Sequence, residues 1–550
     1  MSRDKKISRR RMIRWSASAA TMGTIAPSLF LRAAEKSNGV TRGSISGEPT
    51  AEKVGAQVLA DGGNAVDAIV AAALTATVAS PHNTGIGGYG GHMTIALASG
   101  KKVISIDFNS AAPSAARADM FALDEKGNVR DRANEFGWLA SGVPGILAGM
   151  QLALDRYGTR SFRESATPAM ELARDGFKLG TGVAAGIQRC VPQFRTDEGS
   201  RKLFFKNDAS LVAGETFRNP DLAAMLATLA QRNSVDSFYR GDIAQRIADA
   251  FQKNGGLVTA KDLASYRARE VQPVAVKWGA FDIRTAPLTA GGLTVLQALT
   301  ILRELGWEKC NDEFAGTHAR VEALRFAWHD RLQFLGDSEH AKVPVAKLLS
   351  TDYAREAARQ IQRAVKEGKM LPLVAEPRQQ PGTINLSAVD AKGNMAACTL
   401  THGDSFGARV TVDGLGLTLG HGMSRFEARA GHPNSVGPGK RPLHNMCPTV
   451  VLRDDKPVLA IGGRGGRQIP NAVFVALTQF VACRRNMDEA VASPRLHTEG
   501  DVNLQLEKTW PAIDSAALAA IGYKVKTGFS AVLSAVSFNP ATGETGSALR

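Results

Sequence analysis

The amino-acid sequence predicts an α+β fold, in which strands form layers covered by helices. Three observations lead there. Strand-like segments occur early, at 92–98 and 102–108, and again late, at 383–401 and 457–461. Helical periodicity dominates between them, at 145–180, 220–270, 291–306 and 315–335. The chain of 550 residues is also long enough to bury a large core, and it has no internal repeat or low-complexity tract.

From the start of the chain, residues 1–34 carry eight Lys and Arg against one Asp. Seven of the +15 net charges therefore belong to this leader and eight to everything after it. No basic run interleaved with aromatics follows, so nucleic acid is not an expected partner. Ser8-Arg9-Arg10-Arg11-Met12-Ile13-Arg14 reads as a twin-arginine export motif ahead of a weakly apolar run from Trp15 to Leu31. That run is too short and too polar for a stable membrane span. The expectation is an export signal over 1–34 and a periplasmic or secreted protein; the plainer reading is a basic, disordered N-terminus. Cys190, Cys310, Cys398, Cys447 and Cys483 are odd in number and widely spaced, which indicates neither a zinc site nor a disulfide framework.

The spacing predicts a helix over 51–61 that ends at Gly62-Gly63, then an alanine-rich buried helix over 65–79. Gly85-Ile86-Gly87-Gly88-Tyr89-Gly90 formally satisfies a dinucleotide fingerprint. That motif needs a strand before it and a helix after it, and here the order is reversed, so no cofactor is expected. Strand-like alternation returns over 271–284, and the charged, proline-containing stretch 364–381 reads as an exposed connector.

Residues 383–401 form a hairpin around the turn Asp390–Asn394, with Leu386, Ala388, Met395 and Ala397 as apolar positions on either side. Thr383 lies nine residues before Lys392 and Thr401 nine after it, so closing the hairpin sets the two threonines opposite each other. A threonine hydroxyl is a weak nucleophile unless a base adjoins it, and a free α-amine on the same residue can be that base. Freeing the amine requires a cut between Gly382 and Thr383, and Gly382 offers no side chain to obstruct it. The bland alternative is an ordinary β-branched strand residue.

Around this hairpin the chain resembles the γ-glutamyltransferase family of N-terminal-nucleophile hydrolases. The matching pieces are Thr383…Ser387-Ala388-Val389-Asp390…Gly393-Asn394, Gly437-Pro438-Gly439-Lys440-Arg441-Pro442, Pro448-Thr449 and Gly465-Gly466. Upstream, Gly62 to Ala68, Gly85 to Gly88, Ser141 to Gly145, Ala173 to Phe177 and Asn254 to Leu257 match in order. The resemblance implies a four-layer αββα sandwich built jointly by a large subunit, 35–382, and a small one, 383–550, cut from one precursor. It implies Thr383 as nucleophile, Thr401 as the hydroxyl beside it, and Gly465 and Gly466 as donors to the oxyanion. The substrate would be a small-molecule or peptide-like amide, with γ-glutamyl compounds such as glutathione as the default.

The implied substrate wall departs from the family pattern. Asn109 stands where an arginine would hold the γ-glutamyl carboxylate, and Arg425 stands where an aspartate would hold the amine. His444-Asn445 replace paired serines, and Gly403 replaces an asparagine. An α-ammonium would meet a like charge at Arg425, which points to an acyl donor with a carboxylate but no free amine. A chain shorter than usual between Arg425 and His444 predicts a more open site. His402, His421, His432 and His444 gather in the same region without a ligand spacing, so no metal is expected. An acylase for a different amide is the alternative within the enzyme class; a catalytically silent binding protein is the alternative outside it.

Overall fold

A computed structural model describes residues 42–99, 102–309, 313–373 and 383–550. The leader 1–34, Cys310, residues 374–381 of the expected connector and Gly382 lie outside the described residues. Two six-stranded sheets carry the architecture. The first runs, in spatial order, Gly43–Ser46, Ile384–Asp390, Met395–Thr401, Gly90–Ala96, Val103–Asp107 and Arg269–Val271. The second runs Thr545–Leu549, Val532–Phe538, Lys456–Arg464, Thr449–Arg453, Phe281–Thr285 and Val274–Trp278. Every neighbouring pair in both sheets is antiparallel.

The sheets stack face to face through Ala96, Val103, Val389, Met395 and Ala397 on one side and Val450, Leu452, Ala460 and Val536 on the other. The helix Ala65–Ala79, buried at every position, covers the outer face of the first sheet with Pro49–Ala60 behind it. Gly292–Glu304 and Gln468–Leu477 cover the outer face of the second, with Glu313–Phe334 packed on Gly292–Glu304. This is the αββα sandwich. Because its central strands are buried on both faces, the hairpin puts Leu386 and Ala388 under the helices and Met395 and Ala397 against the other sheet.

The turn explains the Asp390 position. One carboxylate oxygen accepts the amides of Lys392 (2.9 Å) and Asn394 (3.0 Å). The other accepts the Asn394 side chain (2.7 Å) and the amide of Ala65 (3.2 Å), the first residue of the buried helix. One acid thus shapes the hairpin and caps the helix packed on it.

Two boundaries differ from the sequence expectation. The helix Thr351–Glu367 runs into the stretch read as an exposed connector, because Ala354, Ala357, Ala358, Ile361 and Ala364 form one buried stripe. The strand read at 457–461 extends through Gly462 and Gly463 as Lys456–Arg464. There the side chain of Asn385 fills the space beside Gly462, so the glycine sits within a strand and not in a flexible turn.

Candidate active site

The register Ile384↔Leu400 carries Thr383 opposite Thr401 at the open end of the hairpin. The Thr383 hydroxyl donates to the Thr401 hydroxyl at 3.3 Å, and the Gly403 amide donates to the same Thr401 oxygen at 2.8 Å. Thr401 is in turn paired with Gly90 across the sheet. Gly403 serves through its backbone: it has φ +109°, and a Cβ there would lie 2.0 Å from the His421 ring.

Gly465 and Gly466 close the turn between the strand Lys456–Arg464 and the helix Gln468–Leu477, both with positive φ. A Cβ on Gly465 would meet Ala531 at 2.8 Å. The strand leading into this turn is tied to the Thr383 strand through Asn385, two residues past Thr383, which lies against Gly462 and bonds to Ser534 at 2.7 Å. Peptide N–H groups at the start of a helix suit a developing oxyanion.

On the other side of Thr401 stands the wall that departs from the family pattern. Asn109 follows the strand Val103–Asp107; its side-chain amide donates to Thr289 and to the Pro442 carbonyl, both at 2.7 Å, leaving its Oδ1 without a partner. Asp107 anchors this corner, accepting from Arg441 (2.7 Å), Arg269 (2.6 Å) and the Asn109 amide (2.9 Å). Burial pushes its carboxyl up, but Arg441, His92 and Arg269 outweigh that and hold it well below the usual range.

Arg425 ends the short 3-10 turn Gly422–Arg425, its guanidinium 5.8 Å from the Tyr89 ring centroid. It is only 7% exposed, and its Nε and Nη1 have no hydrogen-bond partner among the described residues. His444 packs on His92 with ring centroids 4.7 Å apart; its Nδ1 accepts the Met446 amide at 3.2 Å and its Nε2 has no partner. Asn445 is committed elsewhere, since its oxygen accepts from Arg331 at 3.0 Å.

The histidines do not act as one group. His402 and His421 are buried beside Thr401, and burial first of all holds His402 at about 3 and His421 and His444 well below the ordinary imidazole value. They are neutral at pH 7. His432 instead ties down its own loop through the Leu332 carbonyl (2.8 Å) and the Asn434 amide (3.0 Å). Among the described residues no His, Cys, Asp and Glu side chains converge as a metal-binding group, and no helix is long and apolar enough to cross a membrane.

The expected openness is not found. Thr383 is 5% exposed and His444 1%. Asn434 staples the segment after Arg425 back over it, donating to the Arg425 carbonyl (2.7 Å) and accepting from the Leu443 amide (2.9 Å). Sequence reasoning missed Tyr89, Asp107 and Arg331 as parts of this wall. For Tyr89 the signal was present in the glycine-rich run, whose role is close backbone approach: a Cβ on Gly90 would lie 2.1 Å from the Phe108 carbonyl.

A threonine pair at the end of two adjacent inner strands in facing antiparallel sheets, with a glycine turn at the head of a helix, defines the chain as an N-terminal-nucleophile hydrolase by class. The Gamma-glutamyltranspeptidase family profile matches residues 51–550, and the chain belongs to that family. It is 36% identical over 494 residues to the glutathione hydrolase proenzyme of Escherichia coli, covering 87% of this chain and 84% of that one. It is 33% identical over 515 residues to the Acylase ACY 1 proenzyme of a Pseudomonas species, covering 92% and 91%. The crystal structure of cephalosporin acylase from Bacillus halodurans superimposes with a TM-score of 0.82 at 25% identity, covering 92% and 94%. The chain is an enzyme, and the reading as a silent binding protein is set aside.

Proposed function

We propose that Thr383 cuts its own chain at Gly382–Thr383 and then serves as the acyl-accepting nucleophile of the mature enzyme. The observation that carries this reading is the Thr383–Thr401 hydroxyl contact at 3.3 Å at the open end of the hairpin. In the first step the Thr383 Oγ attacks the Gly382 carbonyl and the peptide shifts to an ester. That shift already frees the Thr383 α-amine, and water then cleaves the ester to give the Gly382 carboxylate and restore the Thr383 hydroxyl. Both sheets draw strands from either side of the cut, so the subunits 35–382 and 383–550 stay interlocked.

In turnover the free amine takes the Oγ proton as Oγ attacks the substrate carbonyl, the Gly465 and Gly466 amides hold the oxyanion, and the proton passes to the departing nitrogen. Thr401 orients Oγ. Water or an amine then resolves the ester. The relatives' names support γ-glutamyl amides, including glutathione, as default donors, and acylation of another amide as the second reading. Arg425 favours the second, because a buried cation there opposes a donor's ammonium. Trapping tests the assignment: during slow turnover the small subunit gains the mass of the acyl group on its first residue, and Thr383→Ala shows no gain. An acyl adduct on any other residue contradicts it.

We propose further that residues 1–34 direct twin-arginine export, on the strength of Arg9-Arg10-Arg11 ahead of the weakly apolar run. Replacing Arg9 and Arg10 with lysine then leaves the protein in the cytoplasmic fraction; unchanged export contradicts this.

A further inference from the structure

We infer that the acyl group taken by this enzyme carries a carboxylate held by Arg425 and a neutral, acylated α-nitrogen whose N–H meets Asn109, so that N-acylated γ-glutamyl amides are its donor class. The inference rests on the nucleophile reading above and deepens it. It follows from which polar atoms beside Thr401 lack partners. Arg425 presents Nε and Nη1 unpaired while almost wholly buried, and no carboxylate of the described residues pairs with it. A buried cation with idle donors is costly unless an anion arrives to use them. His444 adds a third donor: its Nδ1 accepts the Met446 amide, which places the hydrogen of the neutral ring on the unpartnered Nε2.

One acceptor is also idle. Asn109 spends both side-chain amide hydrogens on Thr289 and Pro442, so its buried Oδ1 has nothing to accept from. Asn109 and Arg425 flank the same short segment. A Cβ on Gly90 would lie 2.9 Å from Asn109 Cα, and the Arg425 guanidinium covers the ring of Tyr89, the residue before it. Gly90 faces Thr401 across the sheet.

Asp107, the acid beside Asn109, is saturated by Arg441, Arg269 and the Asn109 amide. It has no oxygen left for an incoming ammonium, which would be desolvated beside Arg425. A neutral N–H satisfies Asn109 without that charge. A carboxylate and an amide N–H on one acyl chain complete the set.

Three 4-nitroanilides compared on the self-cut enzyme test this: N-acetyl-γ-glutamyl, glutaryl and γ-glutamyl. The expected order of kcat/KM is N-acetyl-γ-glutamyl first, glutaryl second, and γ-glutamyl at least roughly tenfold below the first. Arg425→Gln should lower the N-acetyl-γ-glutamyl value by about a hundredfold, chiefly through KM, and lower that of butyryl anilide, which has no carboxylate, by far less. The double variant Arg425→Asp with Asn109→Arg should raise γ-glutamyl anilide turnover. Should either variant fail to fold, inhibition of the unaltered enzyme still decides: N-acetylglutamate should compete at lower concentration than glutamate. A γ-glutamyl anilide that matches or beats the other two overturns the inference, as does a cut enzyme that turns over none of them. A chain that never exposes Thr383 would instead sink the nucleophile reading beneath it.

Discussion

At the residue scale, the hydroxyl of Thr401 is the most informative atom after that of Thr383, because it receives both the nucleophile and the Gly403 amide. Thr401→Val keeps the shape and removes the acceptor. It should slow self-cutting and turnover by about a hundredfold each, the ~2.7 kcal/mol scale of a lost oriented hydrogen bond, measured by time-resolved gels and anilide release. Gly403→Ala is not isosteric in the same way, since the His421 ring occupies the space its Cβ needs. It should lose activity with a lowered melting temperature, whereas Thr401→Val should leave melting within a few degrees. Asn445→Ala, by contrast, frees a contact to Arg331 and not to substrate, so its effect should fall on stability more than on KM.

At the element scale, the hairpin was legible because its register depends on local spacing alone: one short turn with a threonine nine residues to either side. The helix Ala65–Ala79 was legible too, from an apolar run between Asn64 and Ser80. The wall around Asn109 was not, since Asp107 meets an arginine 334 positions away, and no spacing in the sequence announces such a pair. The helix Thr351–Glu367 was partly misread because its exposed face is rich in charge and resembles a connector. The last strands, Val532–Phe538 and Thr545–Leu549, went unread, as only their pairing with Lys456–Arg464 and each other defines them. Asp390 reports how tightly these elements are joined. Asp390→Ala removes bonds to Lys392, Asn394 and Ala65 and should destabilise the protein by about 2 kcal/mol, read as a shift in urea midpoint. In the proposed mechanism the glycine turn at the head of the helix Gln468–Leu477 holds the oxyanion, so Gly465→Ala should cut kcat by about a hundredfold or more.

At the scale of the whole molecule, buried imidazoles link folding to pH. His82 and His92 are held at about 4, His318 at about 4 and His402 at about 3, in each case first by burial. In the unfolded chain each would protonate near the ordinary value of roughly 6.5, so the unfolded state binds more protons as pH falls. Stability should therefore be level above about pH 7 and decline steadily from there toward pH 4, with Asp107, whose folded value is depressed, adding a further loss below about 4. Melting temperatures across that range check the slope; a midpoint that rises on acidification contradicts it.

Strands from both sides of residue 383 interleave in each sheet, so the proposed cut would leave the fold intact. N-terminal sequencing of the purified protein probes this at its root. Two chains that separate only under denaturation are expected, the smaller beginning with Thr383, and a single uncut chain for Thr383→Ala. A smaller chain beginning elsewhere, or an unaltered protein that stays whole on prolonged incubation, would refute the self-cutting threonine.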